Sequence, residues 1–118
     1  MSDSISELEE VLTSTPGIDA LLWMTNEGEV RASAGGAHEK LKRLASFAKG
    51  MGDLGQRLCL EAGCGDSKMT LIQAEGGAIV IHQIDDDQSL LAMANQDAAL
   101  GTLAYDLDAC AQKLARRI

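Results

Sequence analysis

The sequence predicts an α+β domain whose elements follow the order helix, two strands, helix, three strands, helix. Two kinds of pattern alternate along the chain: stretches with the period of an amphipathic helix, and short apolar runs bounded by turn-forming residues. The length of 118 residues suits one domain of common size, and we expect a single domain over residues 1–118. Because aromatic residues make up only 3%, the core must consist mainly of aliphatic side chains, alanine and methionine.

The first three elements are a short helix and a hairpin. Near the N-terminus, Ile5, Leu8, Val11 and Leu12 fall on one helical face, and Pro16-Gly17 ends the helix. The apolar run 18–25 and the roughly alternating run 29–35 follow. They are separated by Asn26-Glu27-Gly28, which indicates two strands joined by a tight turn.

The second half of the chain predicts three further strands and a final helix. The strands cover residues 67–74, 78–84 and 89–95, and turns at Glu75-Gly76-Gly77 and Asp85-Asp86-Asp87 separate them. The last helix covers residues 96–118, with Asn95 or Asp97 as its cap. Its apolar stripe consists of Leu100, Leu103, Leu107, Cys110, Leu114 and Ile118.

Composition excludes several classes of function. The net charge of -8 opposes the binding of nucleic acid, whose phosphates are also negative. An N-terminus of acidic character and the absence of an apolar run of about 20 residues argue against a signal peptide and against membrane insertion. Three cysteines, at 59, 64 and 110, favour reduced thiols rather than a disulfide framework. We therefore expect a cytoplasmic protein.

Residues 47–58 contain the spacing of a dinucleotide-binding loop, Gly50-x-Gly52-x-x-Gly55. That loop requires a strand directly before it, yet the preceding residues are rich in Lys, Leu and Ala and keep helical period. We favour a continuous packing helix over residues 37–62, although a break around Gly50-Met51-Gly52 stays open. A heptad seam supports the helix: Leu41, Leu44, Ala48, Met51, Gly55, Leu58 and Ala62. A second stripe lies beside it: Phe47, Met51, Leu54 and Leu58.

The same helix is the least acidic part of the chain. Residues 37–63 hold five basic and three acidic side chains, a net charge of +2, so the other residues together carry -10. This helix would therefore favour an acidic partner. The alternative is that its lysines and arginines only solvate an exposed face.

No set of side chains resembles a catalytic centre. His38 precedes a helix, and His82 alternates with apolar residues on a strand, so neither is a good general base. The aspartates at 85–87 lack the spacing of an EF-hand, and the cysteines lack metal-ligand partners, so we expect no metal and no cofactor. A phosphate-binding GxxxxGK[ST] loop is also absent, so the chain should not itself hydrolyse GTP.

Two segments together resemble the Roadblock/dynein light chain family. PGIDALLWMTNEGEVRASAG (16–35) resembles the family's first hairpin, and SLLAMANQDAALGTLAYDLDAC (89–110) resembles its last strand and final helix. The resemblance covers nearly the whole chain and is closest to the prokaryotic branch. It implies a five-stranded antiparallel sheet, with the central helix on one face and the two terminal helices on the other.

The resemblance also implies a function. Prokaryotic members regulate or scaffold small Ras-like GTPases, and they form homodimers through the third strand and the central helix. The partner-facing residues expected here are Leu44, Ala48, Met51, Gly55, Leu58, Ala62, Met69 and Leu71. Basic residues of the central helix are our candidates for GTPase contacts: Lys42, Arg43, Lys49 and Arg57. The alternatives are a small-ligand sensor of related fold and an enzyme with a cysteine nucleophile.

Overall fold

A computed structural model describes residues 2–117 of the chain, and the side chains of residues 5–116. It contains helix, two strands, helix, three strands and helix, which confirms the predicted order. The elements are α1 (Ser2–Ser14), β1 (Ile18–Thr25), β2 (Val30–Ala34), α2 (His38–Glu61), β3 (Met69–Ala74), β4 (Gly77–Asp85), β5 (Gln88–Asn95) and α3 (Leu100–Arg117). None of the helices within residues 2–117 is long and apolar enough to cross a membrane.

The five strands form one antiparallel sheet in the order β2-β1-β5-β4-β3. Because β1 pairs with β5, the first hairpin and the three-stranded meander join into a single sheet, with β2 and β3 at its edges. Helix α2 covers one face, and α1 and α3 cover the other. This confirms the fold class and the layers that the resemblance implies.

Strand β1 is buried on both faces, which explains its nearly continuous apolar sequence. Leu21 and Trp23 pack with α1 and α3, whereas Leu22 and Met24 pack with α2. The alternation follows from the two-residue period of a strand. Each face therefore has its own core, and β1 contributes to both.

Two details of the terminal helices differ from the prediction. Helix α3 begins at Leu100 rather than at residue 96. Asn95 and Asp97 do not cap it, because the Asn95 side chain accepts the Asp97 backbone N–H at 2.8 Å and forms a local turn. In the stripe of α3, Leu103, Leu107, Cys110 and Leu114 are buried, Leu100 is partly buried, and Ile118 lies outside the described residues. In α1, Leu8 is fully buried but Ile5 stays exposed.

The three glycines of the dinucleotide-like run lie inside α2, which continues without a break through 24 residues. No strand precedes them directly, so the interpretation as a dinucleotide loop and the alternative of a broken helix are both wrong. A Cβ atom at Gly50 or Gly52 would meet nothing within 4 Å, whereas one at Gly55 would lie 2.9 Å from Oγ1 of Thr70. Gly55 therefore allows the close approach of α2 to β3.

Candidate interaction surface

The outer surface of α2 carries a row of exposed apolar side chains, which we call the α2 stripe: Phe47, Met51, Leu54 and Leu58. Phe47 is 74% exposed and Leu58 is 64% exposed. The helix packs on the sheet through another face, with Leu41, Ala45 and Ala48 buried there. Large apolar side chains lined up at helical spacing on an otherwise charged surface are typical of an interaction site.

Strand β3 forms a second exposed apolar element at the edge of the sheet. It pairs with β4 on one side only, and within residues 2–117 no strand occupies its other side. Met69 and Leu71 lie opposite His82 and Val80 on the α3 face of the sheet, and Ile72 lies on the α2 face. All three are exposed. An edge with free backbone groups and apolar side chains on both faces readily pairs with another strand.

Polar contacts hold the α2 stripe next to β3. The Gln56 side chain donates to Asp66 Oδ1 at 2.7 Å and accepts the backbone N–H of Ser67 at 2.8 Å. Together with the close approach of Gly55 to Thr70, these bonds fix the segment before β3 against the helix. The stripe and the edge strand therefore form one surface, which we call the α2–β3 surface.

The residues that the sequence analysis assigned to a partner contact differ in their exposure. Met51, Leu58, Ala62, Met69 and Leu71 are exposed. Ala48 is 4% exposed, and Leu44 is partly buried against the same core.

Ala48 and Gly55 both face the sheet of their own chain, so their placement gives no support to the expected partner contact, which stays a prediction. A heptad seam spans two neighbouring helical faces, and the sheet occupies the face that contains Leu41, Ala48 and Gly55. Phe47 and Leu54 of the second stripe, and Ile72 of β3, were missing from the expected set. Their exposure depends on how the sheet orients the helix, so periodicity alone could not select them.

The four basic residues proposed for GTPase contacts are all exposed on α2. Lys49 Nζ lies 3.2 Å from Oδ2 of Asp53, one turn further along, and such an exposed pair contributes at most about 1 kcal/mol. Lys42 and Arg43 border an open groove beside the turn between β1 and β2, together with Glu29 and Glu39. Within residues 5–116, Lys42, Arg43 and Arg57 form no ion pair and remain available to an acidic partner.

A polar cavity of about 260 Å³ lies between α2 and the sheet. Several of its polar lining groups already bond one another. Gln56 bridges to Asp66, and the Ser89 hydroxyl donates to Oε1 of Gln83 at 3.1 Å. Pockets for organic ligands usually measure about 300–1,000 Å³ and have a mostly apolar lining. The cavity therefore gives little support to the ligand-sensor alternative.

His82 is a structural residue on the α3 face of the sheet. Its side chain is nearly buried, with Nε2 3.2 Å from Oδ1 of Asp108 and Nδ1 2.8 Å from the carbonyl oxygen of Gln83. With an acceptor beside each ring nitrogen, the imidazole ties β4 to α3. Asp86 and Asp87 lie in a turn, as expected. No group of three metal-ligating side chains occurs among the described residues.

Cys110 is a buried thiol of α3. Burial first, and then the negative charge of Glu7, raise its pKa from 9.0 to about 11. Such a thiol is neutral at physiological pH and is a poor nucleophile. The cysteine-enzyme alternative therefore gains no support from Cys110.

Two consequences of this raised pKa can be measured. At pH 7.5 we expect iodoacetamide to alkylate Cys110 at least about 100-fold more slowly than the exposed Cys64, as followed by peptide mass. The unfolded thiol ionises above pH 9 while the folded one keeps its proton to about pH 11. The contribution that the raised pKa of Cys110 makes to the free energy of unfolding is therefore complete below pH 9 and lost as the pH rises towards 11. Equal alkylation rates, or the same slope of stability with pH in Cys110→Ala, would contradict this.

Comparison with solved structures identifies the fold. The chain superposes on a Roadblock/LC7 domain from Streptomyces avermitilis with a TM-score of 0.90 and 14% identity, over 96% of this chain and 95% of that one. It also superposes on MglB of Myxococcus xanthus with a TM-score of 0.88 and 12% identity, over 98% of this chain and 94% of that one. For the gliding protein MglB of Thermus thermophilus the TM-score is 0.88 and the identity 21%, over 98% of this chain and 87% of that one. Neither a family sequence model nor a curated protein sequence matches the chain. The chain thus has the Roadblock/LC7 fold.

Proposed function

We propose that this protein of Roadblock/LC7 fold is a cytoplasmic, non-enzymatic, homodimeric regulator or scaffold of a small Ras-like GTPase. The family resemblance supports this role, since its prokaryotic members act on such GTPases. A solved structure of MglB, which shares the fold, has a tetrameric arrangement. As an activator the protein would need no catalytic group of its own, because it would position residues of the GTPase.

The observation that carries the proposal is the α2–β3 surface. When an edge strand pairs antiparallel with its own copy, each strand supplies the donors and acceptors that the other lacks. A two-fold axis through β3 would extend the sheet across both copies and cover Met69, Leu71 and Ile72. The α2 stripes of the two copies would then lie beside each other, and their apolar side chains would leave water.

The GTPase would bind the basic side of α2. Lys42, Arg43, Lys49 and Arg57 project from a helix of net positive charge on an otherwise acidic protein. Acidic side chains of a partner would find a complementary surface there. Arg43 and Arg57 are also the candidates for an arginine that reaches the nucleotide, because neither forms an ion pair among the described residues.

Binding of purified GTPases tests the proposal. Small Ras-like GTPases of the source organism would be loaded with GDP or with a non-hydrolysable GTP analogue and titrated with the protein. We expect binding that depends on the nucleotide, and about tenfold weaker binding for Arg57→Ala. Arg116→Ala on α3 is the matched control, since it removes the same charge from an exposed site away from α2.

The outcomes of this titration are distinguishable. If both substitutions weaken GTPase binding equally, the net charge of the protein matters and the position of Arg57 does not. Failure of every GTPase to bind an intact dimer, in either nucleotide state, would overturn the proposed function. Hydrolysis rates measured on the same complexes separate an activator from an adaptor: loss of an arginine that reaches the nucleotide lowers the stimulated rate by about 10³-fold or more.

A further inference from the structure

At the C-terminal end of α2, a backbone hydrogen bond joins two cysteines. Gly63 has a φ of +78°, and its N–H donates to the Leu60 carbonyl at 3.1 Å. The N–H of Cys64 donates to the Cys59 carbonyl at 2.9 Å. These two bonds and a left-handed glycine define a Schellman motif, in which Cys59 and Cys64 occupy the two positions whose side chains usually touch.

The geometry of this motif suits a disulfide. The backbone hydrogen bond between the two residues limits their Cα separation to about 6.8 Å at most, which is within the range of disulfides. Within a continuing helix, residues five apart would point in different directions. Here the chain reverses at Gly63, so Cys64 no longer follows the helical rotation and its side chain can turn towards Cys59.

The site is also accessible and adaptable. Cys64 is exposed and Cys59 is partly exposed, whereas Cys110 is buried in another layer. Gly63 and Gly65 flank Cys64, and a Cβ atom at either would meet nothing within 4 Å. The loop therefore has room for the small adjustment that an S–S bond requires.

We propose that Cys59 and Cys64 form a redox-active dithiol, which a low-molecular-weight disulfide of the glutathione type oxidises to an intrachain disulfide. The Cys64 thiolate attacks one sulfur of the oxidant, forms a mixed disulfide and releases one thiolate. The Cys59 thiolate then attacks the Cys64 sulfur and releases the second. The protein loses two protons and two electrons, and the oxidant becomes two thiols. The modification is independent of the proposed function, although the bond would fix the connection between α2 and β3.

Peptide mass spectrometry after equilibration tests the dithiol. The reduced protein is incubated with defined mixtures of reduced and oxidised glutathione and quenched with acid, and its free thiols are blocked by alkylation before digestion with trypsin. Cleavage after Arg57 and Lys68 leaves Cys59 and Cys64 in one peptide and Cys110 in another. We expect that peptide to lose two hydrogens, with the intrachain disulfide exceeding glutathione adducts by about tenfold or more, because its second step is intramolecular.

Two variants decide whether the motif causes the pairing. Cys59→Ser should carry one glutathione on Cys64, because the attacking thiol is missing. Gly63→Val disfavours the left-handed backbone conformation at residue 63 and should lower the ratio of intrachain disulfide to glutathione adducts several-fold. Circular dichroism must confirm that this variant is folded. A wild-type peptide that stays reduced, carries two glutathiones or links two chains would overturn the proposal, as would an unchanged ratio in folded Gly63→Val.

Discussion

The substitution Leu58→Asp is expected to produce a monomer at low micromolar concentration, whereas Leu60→Asp leaves the dimer intact. Both leucines are exposed on α2, by 64% and 54% respectively. Two residues along a helix correspond to a rotation of about 200°, so Leu60 points away from the α2 stripe that contains Leu58. The pair therefore tests the position of the apolar side chain and not merely its removal.

The size of the effect follows from symmetry. In a two-fold interface each substitution occurs twice. Covering one leucine contributes about 1.5–3 kcal/mol, and an aspartate in its place must also lose water. We expect the dimer dissociation constant of Leu58→Asp to rise at least about 100-fold. A substitution at an exposed position outside the stripe, such as Leu60→Asp, should change the dimer dissociation constant little.

Light scattering at low micromolar concentration measures this result directly. The wild-type protein and Leu60→Asp should show about twice the chain mass of 12.4 kDa, and Leu58→Asp should approach the mass of one chain. Circular dichroism must show that all three proteins are folded. A wild-type monomer would contradict the dimer, and a Leu58→Asp dimer as stable as that of Leu60→Asp would exclude the α2 stripe as the interface.

The fold was predictable because its signals are local. The apolar run of β1, the turn at Gly28 and the stripe of α3 each specify their element without knowledge of the others. The start of α3 was predicted too early for a related reason. The Asn95 side chain satisfies a donor in its own turn instead of a helix end, and several polar residues in a row do not reveal which of these two bonds will form.

The candidate surface was only partly predictable, because it depends on contacts between distant elements. Met51 and Leu58 could be read from the sequence, but Ala48 belongs to the same periodic seam and is buried against the sheet. The orientation of α2 is set by the side chains of β1 and β5, far away in sequence. Cys59 and Cys64 pose the same problem, since their proximity depends on where α2 ends and on the backbone of Gly63.

The substitution Gly17→Ala is expected to destabilise the fold by about 3 kcal/mol or more. Gly17 connects α1 to β1 with a φ of +90°, which costs a residue with a side chain roughly 1–3 kcal/mol. A Cβ atom there would lie 2.5 Å from the backbone N and Cα of Ala98. Relaxation is restricted, because the Gly17 carbonyl accepts the Asn95 N–H at 2.8 Å and so joins this turn to the end of β5.

Gly101→Ala provides the matched control for Gly17→Ala. Gly101 lies in α3, and an added Cβ atom would meet nothing within 4 Å, so stability should stay the same or rise by up to about 1 kcal/mol. Urea unfolding of the two variants and the wild type measures the difference. Because one methyl group is added in both cases, opposite shifts can only come from backbone conformation and local space. A tolerated Gly17→Ala would mean that the α1–β1 turn can move away from the connection between β5 and α3, and that this contact is looser than the Gly17–Asn95 bond indicates.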